Sequence, residues 1–152
     1  MKHCLRTEAH IEASPDAVWK ILTDLERYPE WNPFVVSSRG TVAVGRTLTN
    51  RLRPTAGRTR TFTPTVTVVD PPRTFEWLGH LGVRGIFDGR HRFELTATPT
   101  GTRLTQLEQF SGLLVRFMRR SLDRDTASSF DAMNNALKAR AENVTAAHVS
   151  PG

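Results

Sequence analysis

One cysteine, one tyrosine, three lysines and no long apolar run are what this 152-residue chain does with little of. The lone Cys4 excludes an internal disulfide and cannot by itself build a cysteine metal site. No stretch approaches the roughly 20 apolar residues of a membrane-spanning helix, so no membrane span is expected. The opening MKHCLRTEAH has no apolar core of the kind a secretory leader needs, and a cytoplasmic address is the expectation. His3, His10, His80, His91 and His148 show no spacing with acidic partners that would assemble zinc or iron, so neither metal nor cofactor is expected. A Gly-x-Ser-x-Gly nucleophile and a phosphate loop are also missing. Gly79, Gly82, Gly85 and Gly89 imitate a dinucleotide fingerprint in spacing only, because no helical pattern follows; they read as a turn and a flexible loop from Leu81 to Gly85.

Arginine is what the chain has in excess. Lysine and arginine total 21 against 15 acidic residues, a formal charge of +6, and all but Lys2, Lys20 and Lys138 are arginine. Such a balance raises nucleic acid or an anionic surface as partner. The distribution argues against a dedicated nucleic-acid site: Arg39, Arg46, Arg51, Arg53, Arg58 and Arg60 alternate with Thr and apolar residues as the solvent face of strands does. No aromatic ladder interleaves with them, as single-strand binding requires. An Arg-rich outer surface meeting an acidic partner remains an open alternative.

The hydrophobic pattern changes period along the chain. In Ile11 to Pro33, Ser14 is a helix N-cap, Pro15 suits the first helical position, and Asp16 favours the positive end of the dipole. Val18, Trp19 and Leu22 form one helical stripe, and a second short apolar segment through Tyr28 and Trp31 ends at Pro33. The period then becomes two. Residues 3–13, 35–43, 46–53, 60–69, 73–80, 86–98 and 102–110 read as seven strands separated by Gly, Pro and Asp turns, the short connections favouring antiparallel neighbours. From Leu113 to about Glu142 the helical period returns over about 45 Å, with a break expected around Ser121 to Asp125. Phe130, Met133, Asn134, Leu137 and Ala141 share one face of it. A single domain over 1–143 with a flexible tail over 144–152 is expected.

Pro15, Val18 and Trp19, followed by Tyr28, Pro29, Trp31 and Pro33, resemble the N-terminal signature of the START/Bet v 1-like (SRPBCC) superfamily, in its polyketide cyclase/dehydrase branch. The strand Phe75-Glu76-Trp77, the Gly101 to Thr105 strand and the long C-terminal helix follow in the matching order, so the likeness covers residues 3 to 142. It implies an α+β helix-grip fold: a curved seven-stranded antiparallel sheet wrapped around the C-terminal helix, with two short helices after the first strand and a cavity between sheet and helix. The superfamily hosts carriers, sensors and cyclases, and fold alone does not select among them.

Alternation selects the side chains that turn inward. If Phe93 faces the core, so do His91 and Phe87; Phe110 carries Glu108 and Gln106, Phe75 carries Trp77, and Leu48 and Leu52 carry Asn50. Asn50, Trp77, Phe87, His91, Phe93, Gln106, Glu108 and Phe110, with Phe130, Met133 and Leu137 from the helix, are the eleven candidate ligand-binding residues: a mostly apolar pocket with a few polar points. His91 and Glu108 are the weak catalytic candidates. Such a pair can be a structural hydrogen bond, a ligand-orienting point or a general acid–base couple, and one bulge would reverse a strand's inward set. The expected function is non-catalytic binding of a hydrophobic or aromatic small molecule (lipid, polyketide or isoprenoid-like), with a homodimer compatible. The alternative is a cofactor-independent cyclase, aromatase or hydrolase using the His/Glu pair.

Overall fold

The computed structural model describes residues 2–149. Strand β1 (Lys2–Ile11) leads into α1 (Pro15–Thr23), a 3-10 turn (Leu25–Arg27) and α2 (Tyr28–Trp31). Seven further strands follow: β2 (Val35–Arg39), β3 (Thr49–Leu52), β4 (Arg60–Phe62), β5 (Thr65–Asp70), β6 (Thr74–His80), β7 (Asp88–Thr98) and β8 (Gly101–Ser111). The chain closes with α3 (Val115–Ser121), a π-helical turn (Leu122–Thr126) and α4 (Ala127–Val149).

The architecture is α+β with a long C-terminal helix on an antiparallel sheet, but the expected single seven-stranded sheet is corrected. Eight strands form two sheets, one of five in the order β1-β8-β7-β6-β5 and one of three in the order β2-β3-β4. The 60–69 stretch that reads as one strand is divided at Thr63-Pro64, because proline has no N–H for a ladder and constrains the residue before it. An isolated bridge between Thr47 and Thr65, with the Leu48 N–H donating to the Pro64 carbonyl at 2.8 Å, ties the two sheets together.

Local signals account for the entry helices. The Ser14 hydroxyl accepts from the Ala17 N–H at 3.2 Å and caps α1, whose Val18 and Leu22 are buried. Tyr28 is fully buried and its hydroxyl donates to the Leu22 carbonyl at 2.5 Å. Burial, with the charge of Asp24 nearby, pushes this phenol far above its ordinary range, so it stays a neutral donor. Asn32 Oδ1 accepts from the N–H groups of Phe34 and Val35, which turns the chain out of α2 and into β2.

The C-terminal helix is interrupted by the π turn at Leu122–Thr126, where the sequence pattern weakens. Past it, Phe130, Met133, Asn134, Leu137 and Ala141 are all buried as one stripe against the sheet. Helix α4 runs on through residues 144–149 of the stretch expected to be tail, and residues 150–152 lie outside the described residues.

Glu76 lies on the opposite face of β6 from Phe75 and Trp77 and is fully buried beneath two arginines. Its Oε1 accepts from Thr67 and from Arg90, both at 2.7 Å, and its Oε2 accepts from Arg92 at 2.6 Å. Burial alone would raise its pKa, but the hydrogen bonds from Thr67, Arg92 and Arg90 outweigh burial and hold it below the ordinary glutamate value. A depressed folded-state pKa contributes stability above the unfolded value of 4.5, and that stability is lost as pH falls through the folded value. Glu76→Gln should therefore cost about 1–3 kcal/mol at neutral pH. In urea titrations the gap from the parent protein should narrow in acid, and a gap independent of pH would show that the charge is not what stabilises.

Candidate functional site

A cavity of about 300 Å³ lies beyond the part of the sheet that α4 covers. The large sheet supplies one wall: Trp77 and Gly79 from β6, Gly89 and His91 from β7, Glu108 and Phe110 from β8, with Phe87 just before β7. The three-stranded sheet supplies the facing wall through Leu52 and Phe62, extended by the Pro54 to Arg58 loop, Arg60 and Thr61. Phe130 closes it from α4, and Met118, Leu122, Asp125 and Thr126 close it from α3 and the π turn.

Strand register sets the polar centre. Trp77 pairs with His91, and His91 pairs with Glu108, so three side chains of one inward face stand in a row across β6, β7 and β8. His91 Nδ1 and Glu108 Oε2 are 2.5 Å apart, with His91 4% and Glu108 8% exposed. The imidazole lies stacked on the Trp77 indole, 5.0 Å between centroids at 13°, and meets the Phe130 ring edge-on at 4.8 Å. An ionised Glu108 oxygen can only accept, so the bond between them is donated by His91 Nδ1. Nε2 is buried and has no hydrogen-bond partner among the described residues.

Two glycines make room for this arrangement. A Cβ on Gly89 would stand 2.6 Å from Glu108 Oε1, so any side chain there would displace the carboxylate. A Cβ on Gly79 would stand 1.9 Å from the Phe62 ring, which lies directly on β6 and seals the cavity between the sheets. Gly79 and Gly89 are register partners, so the close approach crosses two adjacent strands.

Of the eleven residues expected to bind ligand, six line the cavity: Trp77, Phe87, His91, Glu108, Phe110 and Phe130. The other five do not. Asn50 is buried on β3, its Oδ1 accepting from the Ser38 hydroxyl at 2.6 Å. Phe93 stacks on Phe75 with centroids 6.2 Å apart. Gln106 donates to Asn134 Oδ1 at 2.5 Å, while Met133 and Leu137 are fully buried in the main core. The reason is position along the strand. Phe93 and Gln106 share the inward face of the large sheet with the lining residues, but the helix stripe packs onto that face there, leaving only its far end open, while Asn50 belongs to the other sheet and Met133 and Leu137 to the packed stripe itself.

Sequence alternation missed the facing wall and the cap, because Phe62, Leu52, Met118 and Leu122 belong to elements whose placement depends on tertiary packing. The pair of glycines within otherwise apolar strands was the available signal, since an interior strand glycine marks a close approach of other groups. Among the described residues no cluster of three or more His, Cys, Asp or Glu is placed to hold a metal ion. The arrangement can bury an apolar molecule and offer it one hydrogen-bonding and proton-accepting imidazole.

The Zhui aromatase/cyclase of a Streptomyces species superposes with a TM-score of 0.81 at 18% identity, over 99% of this chain and 100% of that one. The di-domain aromatase/cyclase StfQ of the steffimycin biosynthetic pathway gives 0.78 at 13% identity, over 95% of this chain and 52% of that one. Norcoclaurine synthase of Thalictrum flavum gives 0.74 at 13% identity, over 95% and 97%. At these identities the likeness is one of fold. No curated protein sequence matches the chain. The family described as polyketide cyclase / dehydrase and lipid transport matches residues 2–142, nearly the whole length. The chain, with its helix-gripping sheet and largely apolar cavity, belongs to that family, in the polyketide cyclase-like branch of the START/Bet v 1-like (SRPBCC) superfamily.

Proposed function

We propose that this protein binds a hydrophobic or aromatic small molecule of lipid, polyketide or isoprenoid type in the cavity bounded by Trp77, Phe62, Phe110 and Phe130. The observation that carries the reading is the cavity itself: about 300 Å³, walled by Phe34, Phe62, Trp77, Phe87, Phe110 and Phe130, with the His91–Glu108 pair on the sheet side and Arg58, Arg60, Thr61, Asp125 and Thr126 on the facing wall and cap. That volume is at the lower end of the roughly 300–1,000 Å³ of small-molecule pockets, which suits a compact ring system or one chain segment. Family membership supports the ligand class, and the aromatase/cyclase neighbours share the fold.

A second reading, cyclase-like catalysis, is favoured by one observation: His91 lines the cavity and its Nε2 is buried without a hydrogen-bond partner among the described residues. An unpaired buried polar atom costs about 1–3 kcal/mol, and a site that accepts a proton from an enclosed substrate would give it a partner. Glu108 would hold the imidazole in the required tautomer and stabilise the imidazolium as it forms.

Two measurements test these readings. Native mass spectrometry of freshly purified protein should show a retained apolar ligand, and Trp77→Ala should weaken rebinding roughly tenfold or more, the equivalent of about 1.5–3 kcal/mol of lost aromatic contact. Because Trp77 also packs in the core, Met118→Trp at the cavity cap is the companion variant, expected to lower affinity by occupying space. Unchanged affinity in both folded variants would place the ligand elsewhere. For the catalytic reading, Glu108→Gln and Gly89→Ala should leave ligand binding within a few-fold while slowing cyclisation of a poly-β-ketone substrate by about 10²–10⁴. Turnover that survives both substitutions would reduce the pair to a structural hydrogen bond.

A further inference from the structure

Seven of the nine large apolar side chains exposed among the described residues fall in two short segments, 81–86 and 113–118. Phe117, Leu113 and Val83 project furthest, at 82%, 78% and 67% exposed. The two segments lie side by side, the Leu113 N–H donating to the Gly85 carbonyl at 3.3 Å and the Leu114 N–H to the Ile86 carbonyl at 3.1 Å. Isolated exposed apolar residues are ordinary, but a contiguous patch marks an interaction surface. This one borders the cavity, since Leu81 and Met118 belong to both.

The same segments are charged with one sign. Arg84, Arg116, Arg119 and Arg120 are exposed, and of the four only Arg84 has, among the described residues, a carboxylate near enough for its charge to be felt, helping to lower the pKa of Asp88. Neither 81–87 nor 112–120 contains an acidic residue. The acids that flank them are engaged: Asp88 accepts from the Gly85 N–H and pairs with His80, Asp123 pairs with His3, and Asp125 pairs with Arg124. Projecting apolar side chains ringed by arginines complement an anionic headgroup layer over an acyl interior. A fluid bilayer accepts such projections without a matching pocket, whereas a protein partner needs shaped complements for each of them.

We propose that this face docks on an anionic lipid bilayer, setting Leu113, Phe117 and Val83 into the headgroup boundary and the arginines on lipid phosphates. The cavity mouth then opens toward the membrane, and an apolar ligand passes between bilayer and cavity without crossing water. This inference rests on the hydrophobic-ligand reading of the cavity.

Flotation of the full chain with phosphatidylcholine vesicles, with and without phosphatidylglycerol, tests it. Binding is expected only with phosphatidylglycerol and should weaken as salt screens the arginines. Leu113→Ser with Phe117→Ser, and separately Arg119→Glu with Arg120→Glu, should each reduce partitioning about tenfold or more. None of these four residues lines the cavity, so both variants should keep the parent affinity for a soluble fluorescent apolar probe. Loss of vesicle binding with probe binding intact supports docking; loss of probe binding in the parent protein would instead undo the cavity reading. Vesicle binding equal in parent and variants, no binding to either vesicle, or retention on an immobilised acidic protein without vesicle binding would overturn the proposal.

Discussion

A sheet face that one helix covers only part-way is the constraint on which the rest of this structure depends. Phe75, Phe93, Leu95 and Leu104 meet α4 and the entry helices in one core that includes Met133, Leu137 and Ala141. Toward the other end of the same strands, Phe87 and Phe110 gather with Val115 and Leu122 in a separate cluster. Apolar surface left uncovered there must be enclosed by something else, because exposing it costs roughly 25 cal/mol per Å². The three-stranded sheet, α3 and the π turn do the enclosing, and the space they fail to fill is the cavity.

The polar pair sits where burial is most expensive for it. His91 and Glu108 face the apolar end of the sheet, and their mutual hydrogen bond satisfies one nitrogen and one oxygen while leaving Nε2 without a partner. The contrast with Glu76 is instructive. On the opposite face of the sheet, that carboxylate is surrounded by Thr67, Arg90 and Arg92, and all its partners belong to the protein. One buried glutamate completes its hydrogen bonding within the fold, whereas the other belongs to a pair that does not.

Arginine is likewise divided by location. Arg90 and Arg92 are held by Glu76, and Arg73 and Arg140 pair with Asp70 and Glu30. Those on α3 and in the β6–β7 loop have no acidic neighbour in their own segments and stand among exposed leucine and phenylalanine. A uniform excess of positive charge therefore becomes local in three dimensions. No helix among the described residues is long and apolar enough to cross a membrane.

The caps, periods and breakers of the sequence by themselves determined the elements: Ser14-Pro15 starts α1, alternation places Trp77, His91 and Glu108 on one face, and the spacing from Phe130 to Ala141 makes one buried helical stripe. These are local rules, dictated by backbone geometry within a few residues. The even number of strands and their division into two sheets escaped that reading, because Pro64 interrupts a run whose composition is continuous on either side. Which inward residues meet a helix and which meet a cavity was also decided only by tertiary structure. Phe93 and Phe87 follow the same alternation six residues apart, yet the main core takes in one and not the other. Period two specifies the face of a sheet but carries no information about where along that face a distant helix ends.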